Sequence, residues 1–381
     1  MNVEKPRILI AASIYSHIQA FHIPFIKFMR DKGYEVHVAA NAKFGNMGEV
    51  EKFGAVCWDV PFSRAPISKT NIAAYREIKK IFQMHDYKFV HVHTPVASMI
   101  VRYVAKKFSK SKVFYTAHGF HFFKGAPKVN WLLYYPMEKM AARWTDTLFV
   151  INSEDYEQGK KLGFQAGKDL FLLPGVGIDI PYYRNSWSKV NDVRQSLNIP
   201  NDHIVFSCIA ELNNNKNQKY LLQAWERISR EYPKVHLLLS GDGPNKTSYE
   251  KFIAANKLER VYLLGFRKDI PQIINESDIV TLVSKREGLP RCIMEAMACG
   301  KAIIASNIRG CRDLIEDGVS GYLVNPMNVS DFISKSKILI EQPGYRINVG
   351  LNALEKIRAY SNENVLEDME RAIIQLMEDN V

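Results

Sequence analysis

The chain has 381 residues, 47% hydrophobic and 24% charged, which suits two domains that each bury a core; it contains no run of 18 apolar residues able to span a bilayer. Its five cysteines (Cys57, Cys208, Cys292, Cys299 and Cys311) include no C-x-x-C pair, which argues for a reducing cytoplasm and against a disulfide framework or a zinc site. The formal charge of +11 is uneven, with 27 Lys and Arg against 15 Asp and Glu in residues 1–190 but 24 against 25 in residues 191–381.

In chain order, residues 1–13 are expected to be a polar lead into a buried strand at 7–12 and lack the long apolar region of a signal peptide. An amphipathic helix follows at 20–32 despite Pro24, then a strand at 34–40 after the break at Gly33. Strand and helix then alternate through 55–58, 71–84, 89–93, 96–108 and 112–117, and strands at 147–151 and 170–173 finish the series. Such alternation predicts an α/β domain with a parallel sheet covered on both faces, whose ligands bind at the carboxyl ends of the strands. The loop at 13–19 sits at such an end and offers Ser16 and His17; Thr116-Ala117-His118-Gly119-Phe120-His121 sits at another. His91 and His93 alternate on a strand and are expected to face opposite sides, a poor metal pair with core or surface roles.

Arg102, Lys106, Lys107, Lys110 and Lys112 follow the helix from 96, with Lys124 and Lys128 interleaved among Phe120, Phe122, Phe123 and Trp131. Basic residues beside exposed aromatics fit a surface resting on anionic lipid, against a solvated helix end plus core aromatics. No nucleic-acid module accompanies the charge, so an anionic membrane surface is the preferred partner of the first half and nucleic acid is not.

The second half repeats the pattern with strands at 203–210, 235–239, 261–264, 279–283 and 302–305, and a last amphipathic helix at 364–377. The expected domains are 1–182 and 189–360, joined by a linker at 182–188, with residues 361–381 packing back on the first. Ser240-Gly241-Asp242-Gly243-Pro244 is a turn too short for a dinucleotide fingerprint. Asp269 is read as the cap of the helix that follows it.

Residues 284–300, SKREGLPRCIMEAMACG, carry the densest chemistry. Gly288 and Pro290 make a turn into a helix from about Arg291 to Cys299, which Gly300 ends. Free amides and the helix dipole aim positive charge at the loop. Glu287 and Glu295 bracket that helix start, and each carboxylate can accept the vicinal hydroxyls of a sugar or a ribose. A phosphate between two polyols is a nucleotide-sugar. Spacing alone leaves the alternative of a solvated loop Glu and a helix-surface Glu equally open.

The run Glu287-Gly288-Leu289-Pro290-Arg291-Cys292-Ile293-Met294-Glu295, with Ala296, Ala298 and Gly300, resembles the E-x7-E signature of the retaining family-4 glycosyltransferases. Nearly the whole chain follows the resemblance, most closely in residues 265–321. It implies the GT-B fold, two Rossmann-like doubly wound parallel-sheet domains with an interdomain cleft. It also implies a sugar transfer from a nucleoside-diphosphate sugar, a UDP-sugar carrying a hexose or N-acetylhexosamine, with retention at the anomeric carbon. In the bacterial exopolysaccharide and capsule type that this chain resembles, the acceptor is a lipid-linked glycan on polyprenyl diphosphate. Such an enzyme is cytoplasmic and peripheral on the inner face of the membrane, in company with other polysaccharide-assembly enzymes.

By the same resemblance, His118, Lys216 and Glu287 are the catalytic set. Glu287, Gly288, Leu289, Pro290, Arg291, Glu295, Lys216, Gly243 and Arg267 hold the donor, and Ser16, His17 and His121 lie on the acceptor side. Arg102, Lys106, Lys107, Lys110 and Lys112 form the membrane patch. Two departures stand out: the loop at 13–19 lacks the usual glycine pair, and Glu211 occupies the place of a usual arginine. No Asp-x-Asp occurs, so no metal and no cofactor are expected. A sugar-nucleotide epimerase of the same fold, a teichoic-acid or glycolipid transferase, and a non-catalytic nucleotide-binding subunit are the rival readings.

Overall fold

The computed structural model describes residues 5–186 and 193–378. The end of the expected linker and the first residues of the expected second domain therefore lie outside the described residues. Packing divides the chain into two units, one running to Gly177 and taking back the residues from Asn362 onward, the other spanning Ile178–Ser361.

The first unit is built on β1 (Arg7–Ile14), β2 (Glu35–Asn41), β3 (Val56–Asp59), β4 (Phe89–His93), β5 (Lys112–Ala117), β6 (Thr147–Val150) and β7 (Leu170–Leu172). All pair in parallel, in the order β3-β2-β1-β4-β5-β6-β7. The run of Ile8 to Ala12 is fully buried, as a strand covered on both faces must be. The helix expected at 20–32 is two helices, Tyr15–Phe21 and Ile23–Asp31, meeting at His22. Pro24 lies in the first turn of the second, where its missing N–H breaks no hydrogen bond. The helix Asn362–Glu378 belongs to this unit: Met369, Ala372 and Ile373 pack into the core that holds Ile8 and Ile10, and Lys32 pairs with Glu370 at 2.6 Å.

The second unit carries β8 (Ile204–Ile209), β9 (Val235–Ser240), β10 (Val261–Gly265), β11 (Ile279–Leu282), β12 (Ala302–Ser306) and β13 (Tyr322–Val324), in the parallel order β10-β9-β8-β11-β12-β13. Three-residue β13 was too short to read from pattern. The break after Gly177 comes earlier than the expected 182. Tyr183, on the helix Ile180–Asn185, is buried with Ile293 and Met294 of the second unit, which draws that helix across. In both sheets the order reverses after the first strand, placing a crevice between β1 and β4 in one unit and between β8 and β11 in the other.

Candidate functional site

In the second unit the β8/β11 crevice brings Lys216 and Glu287 together. Lys216 Nζ donates to Glu287 Oε1 at 2.7 Å, with most of both side chains out of water. The loops that carry them are tied by their backbones: Lys285 N donates to Asn215 O at 2.8 Å, and Asn215 Nδ2 to Arg286 O at 3.0 Å. Burial works against the Lys216 charge, but Glu287, with smaller contributions from Cys292 and Cys208, leaves the Lys216 pKa above that of a free lysine.

Two close backbone approaches hold this crevice in shape. A Cβ on Gly243 would lie 2.5 Å from Leu212 O, so the Gly243 turn braces the loop leading to Lys216. Gly310 has φ +75, and a Cβ there would stand 2.2 Å from Gly288 O. Beside it, Arg309 is buried and donates from Nε to Glu287 O at 3.1 Å. The sequence analysis did not single out Arg309; a cation in a loop directly after the buried strand β12 was the available signal.

The helix Arg291–Ala298 starts at Pro290 with no side-chain cap. Glu295 is only 8% exposed, and its Oε1 accepts from Tyr183 Oη at 2.6 Å and Arg291 Nε at 3.1 Å. Burial pushes the Glu295 pKa up, while Tyr183 and Arg291 pull it partly back. Burial, and then the Glu295 charge, raises the Tyr183 hydroxyl. Thus Glu287, Gly288, Leu289, Pro290, Arg291, Glu295 and Lys216 gather around one helix start, while Gly243 reaches the loop at Leu212 that leads to Lys216. Arg267 does not join them. It follows the edge strand β10 and forks Asp269 at 2.8 and 2.5 Å, so Asp269 serves that pair and makes no side-chain cap.

In the first unit the β1/β4 crevice holds Ser13 and Thr94, whose hydroxyls are 2.8 Å apart. Thr94 sits at φ 62, an unusual conformation for a β-branched residue. A cavity of about 220 Å³ opens there, lined by Ser13, His17, Arg64, Thr94, His121 and Tyr134 among others. Of the expected acceptor-side residues, His17 and His121 line it; Ser16 is exposed and Ser13 takes the lining position. Next to it His17, His22, His93 and His118 form a cluster. His22 stacks on His93 with ring centres 3.8 Å apart, and His118 Nε2 lies 3.2 Å from His93 Nδ1. Burial lowers the pKa of His118 to about 4 and holds His17, His22 and His93 well below the usual imidazole range. His91 and His93 share a face, with ring centres 4.3 Å apart, correcting the expectation that they point opposite ways; side chains two apart on a strand lie on the same side.

The basic patch needs a second correction. Arg102 is 1% exposed: its NH2 pairs with Glu138 Oε2 at 2.9 Å and its guanidinium lies 4.1 Å from the centre of the Tyr115 ring. Phe120 and Phe122 are likewise buried, stacked with ring centres 4.7 Å apart. Lys106, Lys107 and Lys110 are exposed and Lys112 half-buried. The apolar surface that the sequence did not reveal is on the helix Lys128–Ala141, where Val129, Leu132, Leu133 and Met140 are exposed. Among the described residues no helix is long and apolar enough to cross a membrane.

Comparison with known proteins adds to this geometry. Residues 189–356 match the family described as glycosyl transferases group 1, and residues 8–152 match glycosyl transferase 4-like. The chain is 35% identical to EpsD of Bacillus subtilis (strain 168), a protein assigned as a glycosyltransferase, over 95% of both chains. It is 29% identical to the UDP-Gal:alpha-D-GlcNAc-diphosphoundecaprenol alpha-1,3-galactosyltransferase of Escherichia coli, over 70% of this chain and 68% of the relative. Among solved structures, Anabaena Alr3699/HepE in complex with UDP and glucose superposes with a TM-score of 0.79 at 22% identity, covering 97% of this chain and 99% of that one.

Proposed function

Because the chain belongs to the group 1 glycosyl transferases, with the two parallel-sheet domains of the GT-B fold, we propose that it transfers a hexose or N-acetylhexosamine from a UDP-sugar to a polyprenyl-diphosphate-linked glycan. The transfer proceeds with retention and serves exopolysaccharide or capsule assembly. The observation that carries this reading is the Lys216–Glu287 ion pair beside the uncapped start of the helix Arg291–Ala298.

Transfer breaks the bond between the anomeric carbon and the diphosphate oxygen and makes one to the acceptor hydroxyl oxygen, whose proton passes to the departing diphosphate. Negative charge grows on the departing diphosphate, so contacts that strengthen with that charge lower the barrier. Lys216 Nζ and the amides of residues 288–291 supply them. Glu287 orients Lys216 and takes donor-sugar hydroxyls, and Glu295, steadied by Tyr183 and Arg291, takes the ribose. The absence of Asp-x-Asp supports leaving-group stabilisation by these groups without a metal.

The acceptor approaches the first unit, where His17, His118 and His121 stand at the strand ends. Named relatives act on undecaprenol-linked diphosphates, which supports a lipid acceptor here. The exposed Val129, Leu132 and Met140, with Lys124 and Lys128, support a surface that rests on the anionic inner leaflet without crossing it. The test is to offer purified protein a panel of nucleotide-sugars with and without lipid extract. Nucleotide release that requires lipid supports the transferase; turnover of the donor alone supports an epimerase; binding without turnover supports a non-catalytic subunit.

A further inference from the structure

We propose that His17, His22 and His118 form a site for one divalent transition cation of the zinc class, held by imidazole nitrogens. The three residues each offer a ring nitrogen, and these nitrogens all lie within 4.8 Å of one another. Ring centres are 5.1 Å apart for His17 and His22, 4.8 Å for His17 and His118, and 5.6 Å for His22 and His118, so the triad is close to equilateral. Zinc–nitrogen bonds of about 2.1 Å in a tetrahedron set nitrogens about 3.4 Å apart, so ring rotations of roughly an ångström close the triad.

The polar atoms themselves point to a ligand. His17 Nε2 and His22 Nε2 are buried without a hydrogen-bond partner, as is Nε2 of the neighbouring His93. Buried polar atoms are nearly always partnered, and several orphaned imidazole nitrogens in one cluster call for an explanation. A cation answers it, because each lone pair gains an acceptor at once. His93 plays the supporting part: it stacks on His22 and bonds His118, fixing both rings.

Chemistry selects the cation. The triad is all nitrogen and contains no carboxylate, which favours zinc, cobalt, nickel or copper over magnesium or calcium. The three ligands come from separate elements. His17 lies on the helix after β1, His22 at the junction of two helices, and His118 follows β5, so the fold must be intact for the site to exist. This site lies wholly in the first unit, whereas Lys216 and Glu287 belong to the second.

The test uses the full chain without an affinity tag, with cobalt(II) as the probe. The expected result is saturable binding of one equivalent in calorimetry, with visible absorption of a low-coordinate cobalt site, and no binding of magnesium. His17→Gln and His22→Phe should each weaken cobalt binding by at least about 10-fold, the smaller loss seen when even a supporting residue is removed. His203→Gln, in the second unit, should leave it unchanged. Absence of saturable binding, or equal binding by wild type and the folded His17→Gln variant, overturns the proposal. Should His22→Phe fail to fold, the His17→Gln result decides alone.

Discussion

Lys216 Nζ stands 2.7 Å from Glu287 Oε1, although 71 residues separate them in the chain. Topology makes that meeting. Lys216 follows β8 and Glu287 follows β11, adjacent strands in space at the point where the sheet order reverses. The pair fixes a cation beside Glu287 in advance, so in the proposed transfer little reorganisation would accompany departure of the diphosphate.

Removing that cation tests its role. Lys216→Met should lower kcat by about 10²–10³-fold, the usual cost of losing a preorganised charge stabiliser. The acceptor KM should change little. Steady-state kinetics on the lipid-linked acceptor check both numbers, and a variant that changes only KM contradicts the assignment.

Glu295 makes a pH-dependent prediction. Burial raises its folded pKa, so the folded chain holds this proton more tightly than the unfolded chain does. The carboxylate is therefore a net cost at neutral pH, and the cost fades as pH falls through the carboxylate range. Glu295→Gln keeps an acceptor for Tyr183 and should melt at or above the wild-type temperature at neutral pH, with the difference closing in acid. Nucleotide affinity should fall in the same variant. Thermal melts at the two pH values and calorimetry with UDP provide the check; a variant less stable than wild type at neutral pH contradicts it.

The corrected basic surface separates two kinds of substitution. Arg102→Ala strands Glu138 in the interior and should cost about 3–5 kcal/mol of stability, read by denaturant unfolding, while leaving vesicle binding intact in the folded fraction. Lys106→Glu with Lys110→Glu should do the opposite. Each lysine contributes about 1 kcal/mol at an anionic surface, so the double variant should leave phosphatidylserine vesicles in co-sedimentation. Leu132→Glu should also release the protein if the helix Lys128–Ala141 lies against the lipid.

Gly310 supplies a steric prediction. A Cβ there meets Gly288 O at 2.2 Å from a backbone with φ +75, so Gly310→Ala must displace the loop between Glu287 and Pro290. UDP affinity should drop by about tenfold or more, for a strain of roughly 1–2 kcal/mol and lost amide alignment. Unaltered affinity in calorimetry would place the nucleotide elsewhere.

Local pattern made much of this legible. Apolar runs such as residues 8–12 and 279–282 announced buried strands, and Gly288, Pro290 and Gly300 announced the helix between Arg291 and Ala298. What depends on distant partners did not show. Tyr183 bonding Glu295 and Arg309 bonding Glu287 O join segments 112 and 22 residues apart, and neither carries a local signature. Arg102 is different, because a signal was present. It shares the helix face of Ser98, Val101 and Ala105, all buried, and reading it by charge overrode that 3.6-residue period. The histidines after β1, at the end of β4 and after β5 looked unrelated until the sheet order made those strand ends neighbours.

The most direct measurement is a crystal of the protein soaked with a UDP-sugar. Diphosphate oxygens within hydrogen-bonding distance of Lys216 Nζ and of the amides of residues 288–291, with the ribose on Glu295, are the predicted result. A fully occupied donor lodged away from that helix start would contradict the account.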